Sequence, residues 1–127
     1  MRQFEEFGKV MAVILGFKKQ NNWGKFKEEI NDAGKKFTSF EISYIESLSP
    51  SAFEKEILIN AKLNPDQIKI LADLLFEKMF YYDLKEENIQ SADLKTKCIL
   101  LYEKFTSEMT QNEFNLEVHY RLSELKK

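Results

Sequence analysis

NPDQIKILADLLFEKMFYYDL, residues 64–84, is the stretch whose reading decides the fold. Asn64 suits a helix N-cap, Pro65 the first helical position, and Gln67 sits where a capping-box side chain reaches back. Ile68, Leu71, Leu75, Met79 and Tyr82 then recur at steps of three and four, which is one apolar stripe of a helix. Ala72, Leu74, Phe76 and Phe80 widen the stripe until most of the circumference is apolar. A helix apolar nearly all round is buried on several sides, so this one belongs at the centre of an all-α domain.

Helical spacing continues on both sides of it. C-terminally, the polar segment Asp83 to Asn88 turns the chain into a helix from about Ile89 to Glu108, with Leu94, Cys98, Leu101, Tyr102, Phe105 and Met109 on one face. Thr110 and Glu113 have capping-box spacing and open a last helix bearing Phe114, Val118, Leu122 and Leu125. N-terminally, Phe4, Phe7, Met11, Ile14 and Leu15 share a face of a helix from Arg2 to about Gln20, with Val10 beside them. Gly8 and Gly16 interrupt it, which is explained by close approach of a neighbouring helix. Trp23, Phe26, Ile30, Ala33 and Phe37 stripe a second helix, from about Asn22 to Phe37. The brief Asn21-Asn22 break makes these two an antiparallel hairpin. Thr38 and Glu41, at capping-box spacing, predict a short helix carrying Phe40, Ile42, Tyr44, Ile45 and Leu48. Ser49-Pro50 predicts another, to about Ile59, with Phe53, Ile57 and Leu58 inward. No segment alternates apolar and polar residues, so no sheet is expected.

Composition agrees. The 127 residues fit a single helical domain, and eleven Phe supply large buried areas. Four Gly and two Pro favour long helices over many turns. The formal net charge of −2 disfavours a nucleic-acid partner, although residues 1–40 carry +3 and the remainder −5. Lys18, Lys19, Lys25, Lys27, Lys35 and Lys36 supply most of the basic side and read as a solvated face. One cysteine excludes an intrachain disulfide and suits a reducing compartment. No apolar run approaches the roughly 20 residues of a membrane span, and VMAVILGF lacks a cleavage signature. A cytoplasmic protein is expected.

The stretch NNWGKFKEEINDAGKKF, residues 21–37, resembles the second helix of a tetratricopeptide hairpin: a polar turn, the aromatic Trp23, then the small Ala33 ten positions on. LKTKCILLYEKF, residues 94–105, resembles another, with Cys98 in a small-residue position. The two align at an offset of 72 residues, pairing Phe26 with Cys98, Ile30 with Tyr102, Ala33 with Phe105 and Phe37 with Met109. That is about two repeat lengths, with the short helices as a degenerate middle unit. The order of an ILGFKK-like phrase, an NNW-like turn, an ESLSP-like connector and an NPDQ…LADLL-like helix is also similar to an uncharacterised family of small bacterial helical proteins. The resemblance implies a tetratricopeptide-like right-handed stack of antiparallel hairpins, about five long helices plus two short connectors. It implies no activity. Gly34 falls where that repeat usually has a larger residue, and Phe26, Met79 and Phe105 where it has small ones, so the packing departs from the consensus.

Chemistry-bearing residues are sparse. His119 is the only histidine, and Glu117 two positions away points elsewhere, so no metal site is expected. Cys98 lies on an apolar stripe, where a buried thiol is inert. Phosphate loops and nucleophile elbows are absent, and Glu28, Glu29, Glu86, Glu87 and Asp93 read as solvated. The sequence thus implies no enzyme and no cofactor. Its functional expectation is a protein–protein interaction or scaffold module whose partner is unknown and includes a second copy of the chain. The alternative is a small-molecule binder with a pocket between the connector helices and the central helix, lined by Phe53, Phe76, Phe80 and Tyr81. Tyr81, one of two adjacent tyrosines at the end of the central helix, is also a candidate for a partner surface.

Overall fold

The computed structural model describes residues 2–108 and 115–127. Helices α1 (Arg2–Lys19), α2 (Trp23–Thr38), α3 (Ile42–Ser47), α4 (Pro50–Phe53), α5 (Pro65–Leu84), α6 (Asn88–Glu108) and α7 (Leu116–Leu125) follow in order, and among the described residues there is no strand. The Thr110–Glu113 capping box, Met109, Phe114 and the side chain of Phe4 lie outside the described residues.

The centre is α5, and its start is built as its sequence dictates. The Asn64 carboxamide oxygen accepts from the Gln67 N–H at 2.8 Å, and the Gln67 side chain accepts from the Asn64 N–H at 3.0 Å. Gln67 Nε2 also donates to the Phe37 carbonyl at 3.2 Å, fastening the entry of α5 to the end of α2. Ile68, Ile70, Leu71, Ala72, Leu74, Leu75 and Met79 are buried along α5. Its most extensive packing is against α6, which brings Leu94, Cys98, Leu101, Tyr102 and Phe105 inward. On another side α5 meets α2, whose Phe26, Ile30, Ala33 and Phe37 are buried as their spacing predicts. Periodicity hid one property of α5: Asp73, Glu77 and Lys78 are buried too.

The ends differ in how well local rules govern them. Asn22 caps α2 and Ser49 caps α4 through their side chains. The Thr38–Glu41 capping box does not form. Thr38 belongs to α2, its hydroxyl donates to the Gly34 carbonyl at 2.6 Å, and Glu41 stands at the N-cap of α3 without a side-chain bond. A tertiary bond replaces it: the Ser43 N–H donates to Asn31 Oδ1 at 2.8 Å. The predicted helix over residues 50–59 begins as α4 and then widens into a π-helix, Glu54–Asn60. The described part of the last helix starts at Leu116, capped by Asn115.

Glycines reverse expectation. A Cβ at Gly8 or Gly16 would meet nothing within 4 Å, so neither marks a close helix approach. A Cβ at Gly34 would lie 2.5 Å from the Phe40 carbonyl oxygen and 3.1 Å from Ile42. The tight contact is where the chain doubles back from α2 into α3. Leu15 and Tyr44, expected inside, are exposed, and Tyr44 instead donates to Glu56 at 2.6 Å.

Candidate binding site

The buried charges of α5 organise two clusters. In the first, Asp73 is only 4% exposed and accepts from three residues on three helices. Its Oδ1 receives the Tyr102 hydroxyl at 2.5 Å and Arg121 Nη1 at 2.6 Å; its Oδ2 receives Lys69 Nζ at 2.8 Å. Arg121 Nη1 also donates to the Tyr102 oxygen at 3.0 Å, and the guanidinium lies 4.7 Å from the Phe76 ring centroid. Lys69 Nζ donates to Glu117 Oε1 at 2.9 Å, and Arg121 stands 3.7 Å from the same oxygen. Helical spacing places these groups: Lys69 and Asp73 are one turn apart on α5, as are Glu117 and Arg121 on α7.

The electrostatics follow from the pairing. Burial, then the neighbouring Asp73 carboxylate, push the Tyr102 phenol well above its ordinary range, so it remains a donor. Burial disfavours the Lys69 and Arg121 charges, but nearby acceptors outweigh it and both pKa values rise: Asp73 and Glu117 for Lys69, Tyr102 and Asp73 for Arg121. Burial opposes the Glu117 charge as well, yet Lys69 and Arg121 prevail and hold its carboxyl below the usual value. Beside this cluster lies a recess of about 290 Å³, lined by Phe7, Gly8 and Met11 of α1, Lys69 and Asp73 of α5, and Glu117 and Arg121 of α7.

The second cluster joins the connector to α5 and α6. Lys97 is 2% exposed, and its Nζ donates to the carbonyls of Ile45 at 3.1 Å, Leu48 at 2.9 Å and, more weakly, Glu46 at 3.4 Å. It also meets Asp93 Oδ2 at 2.7 Å. This is a C-cap delivered in trans: a cation from α6 on the last carbonyls of α3. The Glu46 carboxylate takes Lys78 at 2.7 Å and the Tyr82 hydroxyl, and burial followed by Glu46 raises the Tyr82 pKa. A larger recess, about 380 Å³, opens between the connector and α6, walled by Leu48, Pro50, Ile89, Leu94, Glu46 and Asp93 among others.

The four aromatic residues proposed from sequence as one pocket wall are not brought together. Phe53 is fully buried and offers no surface. Phe76 and Phe80 pair edge-to-face at 5.0 Å between centroids. Tyr81 packs 5.5 Å from Trp23 and 6.4 Å from Phe26, a separate group against α2. Each faces a cation: Lys97 at 5.7 Å from Phe53, Arg121 at 4.7 Å from Phe76, Lys18 at 4.5 Å from Phe80 and Lys27 at 5.1 Å from Tyr81. The two recesses described above lie at α6 and at α1–α7. Cys98 is buried, its thiol pushed up by burial and then by Asp73. His119 is exposed on α7.

Apolar periodicity could not find Lys69, Asp73, Lys97 or Arg121, because apart from their i,i+4 neighbours their partners lie on other helices. The local signals were those i,i+4 charge pairs and an acidic residue amid apolar ones, Asp73 in ILADLL. Among the described residues no three His, Cys, Asp or Glu side chains gather to hold a metal ion, and no helix is long and apolar enough to cross a membrane. Comparisons with family models, with curated proteins and with solved structures found no match.

Proposed function

We propose that the chain is a non-catalytic helical interaction module of tetratricopeptide-like design whose partner is a second copy of itself. The observation that carries this reading is Ile89, 85% exposed at the wall of the larger recess, with Leu84, 61% exposed, at the other end of the α5–α6 turn. Exposed apolar side chains grouped at a recess mark association surfaces. Glu86 and Glu87 are exposed in the turn beside Lys85, whereas Lys25, Lys35 and Lys36 of α2 are exposed elsewhere. Opposite charge on two regions of one chain favours its own copy as partner. The repeat-like design is supported by two hairpins, α1–α2 and α5–α6, joined by packing of α2 on α5. Commitment of the buried ionisable groups to one another supports a non-catalytic role, and the buried thiol of Cys98 suits the cytoplasm. Kinship with the small bacterial helical family rests on the shared phrases alone.

Sedimentation velocity across concentration tests this. The expected result is a monomer–dimer shift that Ile89→Glu abolishes and added salt weakens. A monomer at every concentration, or a dimer indifferent to Ile89→Glu, removes the reading.

A second reading, small-molecule binding, is favoured by the recess between α1, α5 and α7, which sets cationic groups against an apolar wall.

A further inference from the structure

We propose that the recess between α1, α5 and α7 binds a small monocarboxylate with an apolar body, its carboxylate replacing that of Glu117 on Lys69 and Arg121. The inference rests on the small-molecule reading and gives that ligand a chemical class.

Charge balance is the first argument. Lys69 and Arg121 bring two positive charges, and Asp73, bonded through both oxygens to these and to Tyr102, supplies one negative charge. Among the described residues Glu117, whose side chain is 54% exposed, is the most accessible carboxylate on Lys69 and Arg121. One monoanion taking that position conserves the charge of the site. A neutral ligand or a dianion changes that charge by one unit, at an electrostatic cost in a part-buried site.

Mobility of the acceptor is the second argument. Asp73 is held by three donors from three helices, whereas Glu117 reaches in from the solvent side of α7 with one bond of 2.9 Å and one ion contact of 3.7 Å. Rotation of an exposed Glu side chain returns it to water at little cost. Arginine and lysine side by side then present several N–H donors to an incoming carboxylate.

Shape is the third argument. Opposite the charges stand Phe7 and Met11, and between them Gly8, where a Cβ would meet nothing within 4 Å. That glycine carries no turn and no close helix contact; what it does is leave the recess open. A volume of about 290 Å³ corresponds to about ten molecules of liquid water at roughly 30 Å³ each, room for a carboxylate on a short aliphatic or single-ring body.

Titration of the full chain with hexanoate and phenylacetate, followed by amide chemical shifts and calorimetry, tests the assignment, with hexanamide and inorganic phosphate as controls. Saturable binding of the two carboxylates is expected, with shifts centred on residues 7–11, Lys69 and Arg121. Glu117→Gln removes the internal competitor and tightens hexanoate at least about fivefold. Gly8→Leu fills the recess with a good helix former and lowers hexanoate affinity more than tenfold in a folded protein. Weaker hexanoate binding in Glu117→Gln, or indifference to Gly8→Leu, overturns the proposal. Binding of hexanamide or phosphate alone, sensitive to Gly8→Leu, also overturns it while leaving the recess a small-molecule site. Silence of every probe in both the parent and Glu117→Gln overturns both.

Discussion

Lys97 and Asp73 are both buried charges on the α5–α6 hairpin, yet they are neutralised in different ways. Lys97 is met chiefly by main-chain carbonyls of the connector, which cannot swing away. Asp73 is met by three side chains, and the outermost part of its cluster, Glu117, is open to solvent. The first arrangement is a fixed joint. The second has an inner part, Asp73 with Tyr102, that is structural, and an outer part that is exchangeable. Burial alone does not separate structural from functional charge; the nature of the partner does.

The contrast is open to direct attack. The largest loss is expected from Asp73→Ala, which strips Lys69, Arg121 and Tyr102 of their common acceptor and costs about 3–5 kcal/mol in urea denaturation. Lys97→Met keeps the volume but leaves the Ile45 and Leu48 carbonyls without their donor, for a loss of about 2–3 kcal/mol. If Lys97→Met costs nothing, the fixed-joint description of that cluster fails. Tyr102→Phe removes one neutral donor and costs about 1–2 kcal/mol at neutral pH.

Tyr102 also sets an alkaline limit. Its folded pKa is raised, so its contribution is complete below the unfolded value of about 10 and is lost as pH climbs from there toward the folded value. Melting temperature should fall above about pH 10, and Tyr102→Phe should flatten that fall. A parent and variant with parallel alkaline limbs would place the effect elsewhere. The smallest change is expected from Glu117→Gln, within about 0.5–1 kcal/mol at neutral pH. Its lowered carboxyl pKa means that the Glu117 contribution is present above about pH 4.3 and disappears as pH falls through the folded value. A loss in Glu117→Gln as large as that in Asp73→Ala would erase the distinction between inner and outer acceptors.

Local chemistry made much of this legible. The Asn64–Gln67 box, the stripes of α2 and α6 and the stop at Ser49-Pro50 depend on residues a few positions apart, and all appear in place. The two clusters were not legible, because Asp73 finds Tyr102 and Arg121 at 29 and 48 residues' distance, and Lys97 finds Ile45 at 52. A helix stripe says which way a residue faces, not which charge waits there. The same limit misplaced the glycines: only the fold could tell that Gly34 is crowded by Phe40 while Gly8 faces open space. The widening at Glu54–Asn60 likewise has no periodic signal.

The trans cap on α3 has a consequence in time. Chain synthesis at about 5–20 residues per second makes the Ile45 and Leu48 carbonyls roughly 3–10 s before Lys97 exists. During that interval the connector has no cation for its end. The joint between the connector and α6 therefore closes only once the α5–α6 hairpin has been made.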